Sequence, residues 1–188
     1  KNINTIQSYG NHLIAVNTGE LASGLVGFGR MAEPEEIIEW LVGFFKKSSQ
    51  LAGKNVLVTA GPTHEALDPV RFIGNASSGK MGIALAEELY SRGAMVTLVI
   101  GPTVEKIPAG LHTINVTTAD EMYNACIDIF EKMDWAIMSA AVSDYTPVKT
   151  EIQKIKKNNE NFVLELKKTK DILKKLGEIK NNNQYLIG

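Results

Sequence analysis

The chain has 188 residues, 44% of them hydrophobic, and its 20 basic against 21 acidic side chains leave a net charge of -1. That length suits one ordinary domain with an appendage, the apolar share excludes a disordered chain, and the charge balance leaves no bulk field to select nucleic acid or an anionic membrane. The lone cysteine, Cys126, excludes an intrachain disulfide and suits a reducing compartment; no stretch has transmembrane length and the amino end is polar, so the expected location is cytoplasmic.

Residues 1–52 differ in texture from the remainder of the chain. Leu13 to Val16 reads as a short strand, Gly19 to Gly29 is rich in glycine, and Pro34-Glu35-Glu36 opens a helix with an apolar stripe of Ile37, Ile38, Leu41, Phe44 and Phe45. Lys46 to Gln50 is a polar boundary. From Gly53 onward apolar strands alternate with helical patterns. Val56, Leu57, Val58 and Ala60 form a run expected of a strand covered on both faces, stopped by Gly61-Pro62-Thr63. An excursion containing Asp68, Pro69 and Arg71 leads into the turn Gly74 to Gly82. Ile83, Ala86, Leu89 and Tyr90 then recur at helical spacing, with Gly93 where a helix C′ residue belongs.

Met95 to Ile100 reads as a second buried strand, Pro102 to Pro108 as a loop, and Leu111 to Val116 as a shorter strand nearer an edge. Thr118 and Glu121 form a capping box for a helix striped with Met122, Ala125, Cys126, Ile129, Phe130 and Met133, and Trp135 to Val142 is another strand. Cys126 belongs to that apolar stripe, so it reads as a core thiol. Strands separated by helices of this length call for an α/β fold: a Rossmann-like parallel sheet with helices on both faces. Lys154 to Lys157 and Phe162 to Lys167 flank Asn158-Asn159-Glu160-Asn161 and read as a basic β-hairpin arm with Phe162, Leu164 and Leu166 on one face. Thr169 is expected to cap a helix carrying Ile172, Leu173, Leu176 and Ile179; Asn181 to Asn183 is a turn, and Gln184 to Ile187 begins a further strand.

In such sheets ligands bind beyond the carboxyl ends of the strands, so Gly61 to Lys80, Gly101 onward and Ser139 to Pro147 should converge. The turn before Ile83 has two readings. It is a helix start N-capped by Ser77 or Ser78, or a cradle in which Ser77, Ser78, Gly79 and Lys80 bring backbone N–H groups, the positive end of a helix dipole and an ammonium to one anion. Gly74, Gly79 and Lys80 fit G-x-x-x-x-G-K, but Met81 has no hydroxyl for magnesium, which argues against a kinase-type phosphate loop. G-x-G-x-x-G is absent, which disfavours a nicotinamide dehydrogenase. Asp144 reads from the residues alone as a turn cap, and Asn75 as a turn residue.

The run AGPTHEALDPVRFIGNASSGKMG closely resembles phosphopantothenoylcysteine synthetase, and AAVSDY and KIKK resemble later motifs of the same family. The resemblance implies CTP-dependent ligation of 4′-phosphopantothenate to L-cysteine through an acyl-cytidylate, in coenzyme A biosynthesis, with magnesium. It implies nucleotide contacts at Met138, Ser139, Ala140, Asp144, Lys154, Lys170, Asp171, Ile172 and Leu173. Lys154 would neutralise the triphosphate, Asn75 would hold the acyl intermediate for attack by cysteine, and Ser77 to Lys80 would hold the substrate phosphate. Ser143 stands where the family commonly has alanine, and Lys170 where it has proline.

Residues 22–34 resemble the tail of the flavin decarboxylase often fused ahead of this synthetase, with Ser23 where that family has a proton-donating cysteine. Residues 1–52 are therefore expected to be a remnant or linker, with FMN only where an intact decarboxylase is attached. Residues 53–188 are expected to be the synthetase domain, truncated at its carboxyl end relative to the family. A homodimer is expected, larger if fused, without nucleic-acid or membrane partners. The competing classes are a non-catalytic Rossmann-like binding or regulatory domain and a mononucleotide-dependent kinase.

Overall fold

A computed structural model describes residues 2–20, 26–45, 49–156 and 162–188. Ser23, the Lys46 to Ser48 part of the polar boundary and the Asn158 to Asn161 turn lie outside the described residues. The chain divides into two compact units, residues 1–47 and 48–188.

In the first unit, α1 (Asn2–Ser8) precedes an antiparallel pair, β1 (Asn17–Glu20) and β2 (Val26–Arg30), and then α2 (Pro34–Phe45). Pro34 with Glu35 and Glu36 starts α2 as expected, acidic groups sitting at the positive end of the dipole. The strand expected at Leu13 to Val16 begins later, at Asn17, where the chain pairs with β2. His12 packs edge-on against Phe44, with ring centroids 4.5 Å apart, and Phe44 stacks on Trp40 at 5.1 Å.

The second unit is built on a parallel sheet of β3 (Asn55–Ala60), β6 (Met95–Ile100), β7 (His112–Asn115), β8 (Trp135–Met138) and β11 (Tyr185–Ile187). Between them in the chain lie β4 (His64–Asp68), β5 (Arg71–Gly74), α3 (Lys80–Ser91), α4 (Ala119–Phe130), β9 (Tyr145–Pro147), β10 (Leu166–Lys168) and α5 (Ile172–Ile179). The sheet order is β11-β8-β3-β6-β7, so the direction of winding reverses between β3 and β8.

Alternation along β3 assigns the two faces. Val56, Val58 and Ala60 pack with Ile83 and Ala86 of α3, whereas Leu57 packs with Met122, Cys126 and Phe130 of α4 and with Ile172 and Leu176 of α5. This is the expected Rossmann-like sheet with helices on both faces. β7 lies at the edge, as its shorter alternating pattern predicts. α4 carries the predicted capping box, Thr118 accepting from the Glu121 N–H and Glu121 from the Thr118 N–H. α3 ends in a Schellman motif, the Gly93 N–H on Tyr90 O at 2.9 Å and the Ala94 N–H on Leu89 O at 3.1 Å.

Several expectations are corrected. The excursion before Gly74 is an antiparallel hairpin, β4 with β5, because the Asp68 carboxylate accepts the Val70 and Arg71 N–H groups and closes a turn. Neither serine N-caps α3. Gly79 takes that position at φ 80, and a Cβ there would lie 3.0 Å from Gly61 N. Thr169 does not cap α5; its hydroxyl donates to Ser143 O at 2.7 Å, and Asp171 is the N-cap, accepting from the Lys174 N–H at 2.9 Å. Among the described residues, 162–167 do not pair with 154–156. β10 pairs instead with β9, Leu166 opposite Pro147, and Phe162 and Val163 ahead of β10 are both exposed.

Candidate functional site

The strand tips on either side of the β3/β8 switch point are tied by side chains that β3 and its extension supply. Thr59, fully buried, accepts from the N–H groups of Ser139 at 3.1 Å and Ala140 at 3.2 Å. Thr63, also buried, accepts from the Ser143 N–H at 2.9 Å and receives the Ser143 hydroxyl on its carbonyl at 3.4 Å. Between them a parallel bridge joins Pro62 to Ala141, with the Ala141 N–H on Gly61 O at 2.9 Å. Gly101 packs so closely that a Cβ there would fall 1.7 Å from Pro62 O. The three segments expected to converge do so, and glycine at 101 is what permits it.

A hollow of about 520 Å³ opens at this junction. It is lined by Thr59, Met138, Ala140, Val142, Asp144, Tyr145, Lys168, Thr169, Lys170, Asp171, Ile172, Leu173 and Gly188. Seven of the nine residues expected to contact nucleotide are among them: Met138, Ala140, Asp144, Lys170, Asp171, Ile172 and Leu173. The Asp144 carboxylate is exposed and bonds no described residue, so it is not the cap of its own turn. Lys170 is committed to Asp120 at 2.6 Å and lies over the Tyr123 ring at 4.8 Å. That hydrogen bond holds the Asp120 carboxyl below its ordinary value and raises the Lys170 ammonium. Asp171 is occupied as the N-cap of α5.

The two other expected residues lie elsewhere. Ser139 does not line the hollow, and its hydroxyl is buried without a partner among the described residues. Lys154 is exposed on the arm and lines a separate hollow of about 440 Å³ with Leu67, Ile155 and Phe162. It forms no ion pair with a described residue.

Asn75 does not line the hollow but hydrogen-bonds the strand whose Val142 and Asp144 do. Its amide donates to Ala141 O at 3.2 Å and Val142 O at 3.0 Å, two residues short of Asp144. The amide nitrogen is thereby engaged, and Oδ1 is left as an acceptor without a described partner. Ser77 and Ser78 accept weakly from the Gly79 and Lys80 N–H groups, at 3.3 and 3.4 Å. Thr103 fixes the same turn by donating to Ser78 O at 2.7 Å, and the N-cap Gly79 offers no side chain to the N–H groups that open α3. Lys80 is largely exposed, with Glu105 3.5 Å away. The turn is thus a helix start with one carboxylate near its lysine.

Sequence reasoning missed Thr59, Tyr145 and Lys168 around the hollow, and Thr63 at the strand junction. The threonines follow β-strand alternation on β3 and its extension, which is a usable signal. Lys168 has none, because it depends on β10 pairing with β9. The hairpin is signalled by Asp68-Pro69, a turn composition between the two short runs His64 to Leu67 and Val70 to Ile73.

Fold and hollow together define a class: a Rossmann-like α/β domain with an open hollow at the switch point between strand tips. Residues 51–188 match the DNA/pantothenate metabolism flavoprotein C-terminal domain family, and the chain belongs to it. The chain is 47% identical over 193 residues to a cysteine/cysteine sulfinic acid decarboxylase from an unknown prokaryotic organism, covering all of this chain and 54% of the relative. It is 44% identical over 188 residues to the coenzyme A biosynthesis bifunctional protein CoaBC of Haemophilus influenzae, covering all of this chain and 47% of that protein. This chain thus spans about half the length of these relatives. The crystal structure of the C-terminal domain of a CoaBC protein is 45% identical, with a TM-score of 0.65, covering 74% of this chain and 65% of that one. A structure of Cab2 mutant H337A in complex with phosphopantothenate-cysteine, 18% identical with a TM-score of 0.59, covers 81% and 66% and shares the fold.

Proposed function

We propose that residues 48–188 form a phosphopantothenate–cysteine ligase acting in coenzyme A biosynthesis and using CTP. The observation that carries this reading is the hollow at the β3/β8 switch point lined by Met138, Ala140, Asp144 and Leu173, with Asn75 hydrogen-bonded to the same strand at Ala141 and Val142. Family membership supports it, as do relatives named for coenzyme A biosynthesis. Residues 1–47 are read as the linker or remnant of a fused decarboxylase, with which FMN would belong.

In the first half-reaction a carboxylate oxygen of 4′-phosphopantothenate bonds to the α-phosphorus of CTP as the bond to pyrophosphate breaks. In the second, the cysteine amine attacks the acyl carbon, CMP leaves with its electron pair, and the amine loses a proton. The obstacle is bringing two anions together, and fixed donors and ammonium groups reduce it. The nucleotide occupies the hollow between Met138, Ala140 and Leu173, with Asp144 accepting from it. Lys168 and, from the arm, Lys154 supply positive charge. Ser77 to Lys80 and the free N–H groups of α3 take the substrate phosphate. With its amide nitrogen engaged by the strand carbonyls, Asn75 offers Oδ1, which suits an N–H of the attacking amine. Among the described residues no three His, Cys, Asp or Glu side chains cluster to hold a metal. Magnesium, whose sites take one or two carboxylates together with substrate phosphates, would be held with the triphosphate beside Asp144 and would neutralise phosphate charge there.

The test separates the two half-reactions. Asn75→Asp should still release pyrophosphate from CTP and form little amide, whereas Lys154→Gln should block pyrophosphate release itself. Equal loss of both steps in both variants would contradict these roles.

A further inference from the structure

Among the described residues, the segment bearing Lys154 is held by the β4–β5 hairpin. Its stem, residues 150–155, hangs on the β4–β5 hairpin at three points. The Thr150 hydroxyl donates to Ala66 O at 3.1 Å and the Glu151 N–H to Leu67 O at 2.9 Å. Beyond these, the Asp68 carboxylate accepts from the Ile155 N–H at 3.1 Å, and the Arg71 guanidinium donates to Ile155 O at 2.9 Å. Both backbone groups of Ile155 are thus taken by one charged pair.

That pair is built for the purpose. The Asp68 side chain is fully buried and accepts from the Val70 N–H, the Arg71 N–H and Nε, and closely from Arg71 Nη2. A buried carboxylate satisfied this fully cannot relax toward water when one donor leaves, so it fixes the donors it has. Lys154 lies between the Glu151 and Ile155 anchors. Its own ammonium is held by no described ion pair, so its backbone anchors limit where its charge can reach.

We infer that Asp68, working through Arg71 and the backbone of Ile155, is a positioning residue for Lys154. The inference rests on the ligase reading for its catalytic consequence, though the anchoring itself does not. Misplacing a group by about an ångström costs on the order of 100-fold in rate. The carboxylate-to-amide change Asp68→Asn keeps the volume while removing the charge and one acceptor.

The experiment uses the full chain carrying Asp68→Asn, compared with the unaltered chain by thermal unfolding, site-resolved amide exchange and single-turnover kinetics. Exchange at Glu151 and Ile155 should accelerate by about tenfold or more while β3 and β6 stay protected. Pyrophosphate release from CTP should fall by about tenfold to 100-fold. The fraction of acyl intermediate that goes on to amide should be unchanged, an asymmetry that general destabilisation would not produce. Arg71→Lys, which keeps the charge but loses the fork, covers the case in which Asp68→Asn fails to fold, and should show the same local exchange. Unchanged exchange at Ile155 in a folded variant overturns the anchoring. Faster exchange with unchanged pyrophosphate release, or with both half-reactions reduced alike, overturns the positioning role. If the unaltered chain releases no pyrophosphate from CTP, the ligase reading fails, and with it the catalytic role of Asp68, while the exchange arm still decides the anchoring.

Discussion

Thr59 and Asn75 do comparable work from opposite sides of the junction: each uses one short side chain to hold two backbone groups of the strand leading to Asp144. Thr59 is an acceptor for two N–H groups, and Asn75 is a donor to two carbonyls. Removing the hydroxyl as Thr59→Val strands two N–H groups at the head of the hollow, at a cost of about 1–3 kcal/mol. Chemical denaturation should register that loss, and Thr59→Ser should restore most of it; equal stability of the valine variant would remove Thr59 from this role. Cys126 does no such work. Burial pushes its thiol up to about 12, as expected for a core residue of α4.

Among the elements, α4 is the most legible from its residues, because capping box, stripe and acidic first turn all point one way. Thr118→Ala should cost about 1 kcal/mol, read as a lowered denaturation midpoint, and an unchanged midpoint would mean the box contributes nothing. α3 and α5 are legible as helices but not at their starts. At both, serine or threonine stands near the boundary, and the position goes to a neighbour the tertiary structure favours. Gly79 takes it because only a residue without Cβ passes Gly61 so closely, and Asp171 takes it because Thr169 is drawn to Ser143. The arm departs from its sequence pattern for a related reason. Its alternation resembles a hairpin, yet the partner of β10 is set by distant pairing with β9 and by the Asp68–Arg71 hold on Ile155, neither of which has a local signature.

Across the whole molecule, the sheet can be read from strand and helix periodicity, and the placement of the hollow follows from the winding order. What periodicity cannot supply is the separation of Lys154 from Asp144, since the arm's course depends on contacts between residues more than eighty positions apart. Those contacts carry a pH signature. Hydrogen bonding to Arg71, then the N–H groups around it, hold the Asp68 carboxyl well below its ordinary 3.8 against the opposing effect of burial. A folded value below the unfolded one means the stabilisation is complete above the unfolded value and is lost as pH falls through that value toward the native one. Acid unfolding should therefore steepen below about pH 4, and less so in Asp68→Asn; identical acid limbs would contradict the assignment.

The most direct measurement of the central claim is calorimetric titration of the chain with CTP, ATP and NAD, with and without magnesium, repeated on Asp144→Ala. The account predicts heat specific to CTP that the alanine variant loses while remaining folded. Preference for ATP or NAD, silence toward all three, or CTP binding indifferent to Asp144 would contradict it.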